Sequence, residues 1–293
     1  MKKTLLIILL ALTVAVCGPP RKDVIIVGSK NFTEQVILGE MLAQHLARQT
    51  GLQVERRFYL GGTYICQQAI LAGRLDVYVE YTGTALTAIL KQPAEHNPQA
   101  VYNKVKAEYA SRFHLAVMPS LGFNDTFVLV IRGEDARKDR VETISEAVPD
   151  AVHWRPGFGY EFMERPDGYK GLTKTYGLKF GEQPRIMDLG LLYRALFDHQ
   201  VDLIAANSTD GLLEGHDLAV LKDDKDFFPP YQAVPIVRRQ TLALHPAVRK
   251  ALEELAGKIS DAQMRRLNYE VAVEHRDLKD VVREFLRAQH LDP

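Results

Sequence analysis

Three times in its first ninety residues the chain runs an apolar strand pattern into a glycine-bearing turn and then into a helical pattern. In "DVIIVGSKNF", Val24 to Val27 are continuously apolar, the composition of a parallel strand covered on both faces. The turn Gly28-Ser29-Lys30-Asn31 follows. Thr33 to Gln49 then repeats apolar residues at helical spacing (Val36, Ile37, Met41, Leu42, Leu46) and closes at Gly51. "LQVERRFYL" leads through "GGT" to a helix ending near Ala72, and "LDVYVEY" leads through "TGT" to a helix ending near Leu90. In the third strand Leu75, Val77, Val79 and Tyr81 share one face, with Asp76, Tyr78 and Glu80 on the other. Strands alternating with helices dictate an α/β fold with a largely parallel sheet.

A second series follows. "DTFVLVIR" (Asp125–Arg132) reads as a strand, and "AVHWRPGFGYEFMERPDGYKGLTKTYGL" as a strand, a Pro/Gly turn and a helix. "MDLGLLYRALFDHQ" is helical, with Leu189, Leu192, Tyr193, Leu196 and Phe197 on one face; "VDLIAANSTDG" is a strand and a loop. "DDKDFFPPYQAVPIVRR" carries too many prolines for a central strand and suits a connection into an edge strand. From Pro246 onward the pattern is mostly helical. The expected organisation is two α/β lobes, 21–127 plus 233–293 and 128–232, joined by two crossings near Phe127 and Tyr231–Pro235. One continuous doubly wound domain is the alternative.

The first twenty residues read as an export signal. Lys2 and Lys3 precede the apolar run Leu5–Val16, too short to span a hydrocarbon core of roughly 30 Å, and Gly18-Pro19-Pro20 ends it. A membrane anchor is the alternative. Cys17 stands where a lipoprotein signal places its acylated cysteine, although Val16 is unusual before it. Cys66, the only other cysteine, is expected as a buried thiol rather than a nucleophile. The 37 basic and 37 acidic side chains balance, which argues against a general nucleic-acid binder. No metal or cofactor motif is present; Asp223–Asp226 lacks the glycine and the terminal glutamate of a calcium loop.

In α/β sheets ligands bind beyond the carboxyl ends of the strands. Those loops carry Lys30 and Asn31, Tyr81 and Thr84, Glu161 and Arg165, and Asn207-Ser208-Thr209-Asp210. Lys30, Arg165 and helix N-termini would hold a carboxylate. Tyr81 and Tyr231 offer aromatic faces to a cation, a quaternary ammonium above all because it has no N–H to satisfy. Each has a plainer role open to it: Tyr81 as core, Thr82-Gly83-Thr84 as a helix cap, Arg165 as a surface partner of Glu164 or Asp167.

The segments "VGSKNFTEQVILGEM", "LGGTYICQQAILAGRLDVYVEYTGTAL", "RPGFGYEFMERPDGYKGLTKTYGL", "MDLGLLYRAL", "STDG" and "DDKDFFPPY" resemble, in order, the substrate-binding proteins of ABC importers for glycine betaine, choline, carnitine and related osmoprotectants. The resemblance implies a type II periplasmic-binding-protein fold whose lobes close on the solute. It implies an aromatic box from Tyr81 and Tyr231, carboxylate contacts from Lys30, Thr84 and Arg165, and acidic positions at Asp125 and Glu161. At Phe127 and Asn207, where relatives have tyrosine, this chain departs from the pattern; Asn207 removes a π face.

The function expected is capture of a quaternary-ammonium or zwitterionic solute outside the cytoplasmic membrane, in the periplasm or on a lipid anchor. The protein acts as a monomer and delivers the solute to a permease. With no G-x-x-x-x-G-K-[ST] pattern in this chain, the ATPase is a separate subunit. Asn207 and Phe127 leave open the same transport role for an ergothioneine-like betaine or an amino acid. A sensory receptor that presents the solute to a kinase is a further alternative. An exported enzyme would need Asp125 or Glu161 as acid or base with His153 nearby; no nucleophile motif supports one.

Overall fold

The computed structural model describes residues 23–291, so the export signal and Cys17 lie outside it. Two five-stranded mixed sheets form, each flanked by helices. The first takes its strands in the order β2-β1-β3-β10-β4: Gln53–Arg57, Val24–Gly28, Val77–Tyr81, Ala233–Arg238 and Leu115–Val117. The second runs β7-β6-β8-β5-β9: Arg185–Ile186, Pro156–Phe158, Leu203–Asn207, Phe127–Arg132 and Leu218–Leu221. This is the two-lobed type II arrangement.

Strand β1 pairs in parallel with β2 and β3, as its unbroken apolar run requires. Beneath it the helix Thr33–Thr50 buries Ile37, Leu38, Met41, Leu42 and Leu46 and ends where Gly51 takes a left-handed φ of 68°. The C-terminal helices Pro246–Glu254, Asp261–Ala272 and Leu278–Ala288 pack against it and complete that core. On the opposite face Tyr78 joins Cys66, Ile70, Val101, Val105 and Tyr109, as does Leu75, which precedes the strand and so does not share the face of Val77 and Val79 as its alternation suggested. Strand β3 is therefore buried on both faces, and its polar face, including Glu80, is sealed inside the protein. Among the described residues no helix is long and apolar enough to cross a membrane.

Two expectations are corrected. Strand β10 is not at an edge: it lies between β3 and β4 despite Pro235. The proline is accommodated because β4 has already ended opposite it, at Val117, and the Met118 N–H donates to the Pro235 carbonyl. The "RPGF" segment is no turn either; Pro156-Gly157-Phe158 is β6 itself, pairing with β7 and β8. It is followed by two short helices, Tyr160–Glu164 and Tyr169–Tyr176, in place of one.

The chain passes between the sheets next to itself. Asn124 and Gln232 form an antiparallel bridge, and the Asp125 N–H donates to the Tyr231 carbonyl at 3.1 Å. The carboxyl ends of β1 and β3 thereby face those of β6 and β8 across a cleft.

Candidate functional site

The cleft holds a cavity of about 350 Å³. Lys30, Tyr81, Thr84, Asp125, Phe127, Glu161, Arg165, Asn207 and Tyr231 all line it. They come together because each follows, or ends, a strand whose carboxyl end points into the cleft, or lies on the crossing segments. His153 does not line it and is exposed in a short 3-10 turn, so it does not join Asp125 and Glu161 at the cavity.

The basic residues are already paired. Lys30, at 3% exposure, forms a buried ion pair with Glu80, donates to the Thr63 hydroxyl at 3.0 Å, and sits 4.6 Å above the Tyr81 ring centre. Arg165 is also buried and donates through two nitrogens to Asp167, at 2.9 and 2.5 Å. Burial works against its charge, but Asp167 beside it more than offsets this and holds the guanidinium protonated. The same guanidinium lies 4.8 Å from the Phe127 ring centre and 5.8 Å from that of Tyr231. The Tyr231 hydroxyl in turn donates to Asp167 at 2.6 Å. Arg165 is thus a buried clamp between two aromatic rings, not a surface ion pair.

Acidic groups crowd the floor. Asp125 and Asp210 line the cavity, and Glu34 lies behind Tyr81, whose hydroxyl donates to it at 2.5 Å. Burial pushes the Glu34 carboxyl up to about 7, against the hydrogen bonds from Thr209, Tyr81 and Asn268. Burial, with Glu34 and Asp210 as like-charged neighbours, raises Asp125 well above the ordinary carboxylate range. Asp210, half-buried and accepting from the Asn207 N–H and the Tyr193 hydroxyl, is raised by desolvation to about 6. Glu161 approaches from the second sheet so closely that a Cβ on Gly62 would lie 2.1 Å from its Oε1. Gly62 precedes the helix Thr63–Leu71, whose N-terminus favours that carboxylate.

Asn207 ends β8 directly opposite Phe127 in the antiparallel register, so its amide occupies one wall beside the aromatic cluster. Phe127 also packs with Phe162 and Tyr231 at centroid distances of 5.1 and 5.8 Å. Cys66 is fully buried, and burial raises its thiol to about 12, which suits core packing rather than reactivity.

Sequence reasoning missed Glu34, Glu80 and Asn268, and took Asp167 for a surface partner of Arg165 rather than a buried one. Glu80 was visible as an acid one position before Tyr81 on the polar face of β3. Asn268, which reaches Glu34 across 234 residues of chain, had no local signal.

Residues 23–288 match the family model described as the substrate-binding domain of the ABC-type glycine betaine transport system. The carnitine transport binding protein of Listeria monocytogenes is 36% identical over 272 residues, covering 92% of this chain and 88% of that protein. The glycine-betaine-binding protein of Pseudomonas aeruginosa is 34% identical over 285 residues, covering 94% and 90%. An ergothioneine transport permease/binding protein of Helicobacter pylori is 37% identical over 263 residues, 89% of this chain; the chain spans only 47% of that protein's length. A crystal structure described as a glycine betaine/carnitine/choline ABC transporter superposes with a TM-score of 0.74 at 32% identity, covering 92% of this chain and 100% of the other.

Proposed function

The chain belongs to the substrate-binding domain family of ABC-type glycine betaine transport systems, and on that premise we propose that it captures a quaternary-ammonium osmoprotectant of the glycine betaine, choline or carnitine type. The observation that carries this reading is the cavity itself. Aromatic faces (Tyr81, Phe127, Tyr231) and carboxylates (Asp125, Glu161) surround a space suited to a small cation, with Lys30, Thr84 and Arg165 within the same walls.

The solute bridges two lobes, 21–127 plus 233–293 and 128–232, which hinge at the paired crossing around Asn124 and Gln232. Because only closure brings both sets of contacts to the solute, binding favours the closed form. The closed protein acts outside the cytoplasmic membrane as a monomer, carried on Cys17 if that residue is acylated. It delivers the solute to a permease driven by a separate ATPase subunit.

Asn207 favours a second reading within the same role. An amide in place of an aromatic wall suits a solute with a polar group at that end, such as an ergothioneine-like betaine or an amino acid. Calorimetric titration of the mature protein with glycine betaine, carnitine, choline, ergothioneine and an amino-acid panel tests both. The buried Trp154 gives a fluorescence check on closure. Micromolar or tighter binding of glycine betaine, carnitine or choline supports the first reading. Silence toward these three with a response to another solute would overturn it in favour of the second.

A further inference from the structure

The Thr209 hydroxyl lies between two buried carboxyl groups. Its Oγ1 is 2.5 Å from Glu34 Oε2 and 2.7 Å from Asp125 Oδ1. Glu34 opens the helix under the first sheet, whereas Thr209 follows β8 of the second, so this contact joins the two sides of the cleft. A hydroxyl carries one hydrogen and can donate to one carboxylate only. At these distances the other oxygen must itself bear a hydrogen and donate to Thr209; otherwise two lone pairs would face each other. The arrangement therefore contains one proton more than two carboxylates and a threonine supply.

The surroundings agree with that count. Glu34 accepts from the Tyr81 hydroxyl on β3 and from Asn268 Nδ2 on the helix Asp261–Ala272, which also holds the Thr209 carbonyl at 2.9 Å. Asp210 adds a third acid from the loop after β8. The cations near this cluster are engaged elsewhere. Lys30, above the Tyr81 ring, is paired with Glu80, and Arg265, one turn from Asn268, donates to the Ser208 carbonyl and lies 3.9 Å from Glu214. Burial raises both Glu34 and Asp125, the direction that retains a proton near neutral pH.

We propose that this protein binds its solute together with one proton, shared between Glu34 and Asp125 through Thr209 as the cleft closes. The inference rests on the solute-capture reading above and adds a proton site to it. On opening, Thr209 withdraws from Glu34, water reaches the carboxyl groups, and the proton leaves. By linkage, proton uptake on closure means that raising the pH weakens solute binding, approaching tenfold per pH unit once the open form has lost the proton. Solute caught near a more acidic surface is held more firmly than solute at alkaline pH.

Titration calorimetry at about pH 6, between the ordinary and the raised value of the Glu34 carboxyl, in two buffers of different ionisation enthalpy counts the protons taken up. Glycine betaine is the first titrant, followed by whichever member of the panel binds. Between half and one proton per solute is expected for the native protein and for Thr209→Ser, with uptake lost in Thr209→Val. In Glu34→Gln a permanent amide N–H takes the place of the shared proton, so the affinity that remains no longer varies with pH. Equal heats in the two buffers with saturable binding would overturn the proton site while leaving solute capture intact. Should no member of the panel bind, the capture reading fails and small-angle scattering of the free protein decides the proton site separately. Compaction on acidification in the native protein but not in Glu34→Gln supports it, and identical profiles at both pH values overturn it.

Discussion

The buried pair Lys30–Glu80 can be dissected by a double-mutant cycle. Both side chains are almost completely removed from water, at 3% and 0% exposure, so neither charge can be rehydrated when its partner is deleted. Removing one member of such a pair costs about 3–5 kcal/mol, whereas replacing both is often close to neutral. Lys30→Met leaves Glu80 facing the Tyr81 N–H at 2.8 Å and the Tyr78 hydroxyl at 3.5 Å, with no cation. The expected loss is about 3–5 kcal/mol, or about 6–20 °C in Tm for a chain of this size. Glu80→Gln keeps an acceptor for Lys30 and should cost less. In the double variant the loss contracts toward zero, giving a coupling at least as large as the Lys30→Met loss, about 3–5 kcal/mol. Urea unfolding of the four proteins measures it. Single losses that simply add, to within about 0.5 kcal/mol, would show that the two charges do not support each other. The cycle also reports on binding. Glu80→Gln leaves Lys30 without its anion, so glycine betaine, which carries a carboxylate, should gain about tenfold over choline, which does not. An unchanged ratio would remove Lys30 from the carboxylate end of the site.

Three further outcomes are expected. Asn207→Tyr restores a π face beside Phe127 and should tighten trimethylammonium binding by about 2- to 30-fold, the worth of one cation–π contact; calorimetry showing no gain would sink the aromatic-wall account. Gly62→Ala places a methyl 2.1 Å from Glu161 Oε1, so closure should be impeded and solute affinity reduced while the unfolding transition changes little; undiminished affinity would mean that Glu161 swings aside freely. Glu34, raised from 4.5 to about 7, contributes stability that is fully present below about pH 4.5 and lost as the pH rises through 7, about 3 kcal/mol in all; thermal unfolding of Glu34→Gln should lack that loss, and parallel pH profiles for the two proteins would contradict the raised carboxyl.

Alternation of strand and helix, the glycine-bearing turns and the polar loops after each strand outlined the two α/β series and brought Lys30, Tyr81, Thr84, Glu161, Arg165 and Asn207 to the cleft, because these signals are local; Asp125 and Phe127 were marked only by the family resemblance. Side chains repeat with period two in a strand and 3.6 in a helix, and a loop after a parallel strand must emerge at its carboxyl end. The same local reasoning misplaced β10 at an edge. The residues around Pro235 do not reveal that β4 stops opposite it. Nor could it supply most partners of the buried charges; Asp167 was in view beside Arg165, but only as a surface pair. Lys30 is neutralised by Glu80, fifty residues on, and Arg165 by Asp167 from within its own turn but inside the protein, stacked on rings from two crossing segments. Thr209 meets Glu34 across 175 residues and Asn268 meets it across 234. A local pattern states which residues leave water; which groups then satisfy a buried charge is decided only when distant segments are packed together. In this protein that packing turns a set of polar loops into a cleft with its own ion pairs and its own proton.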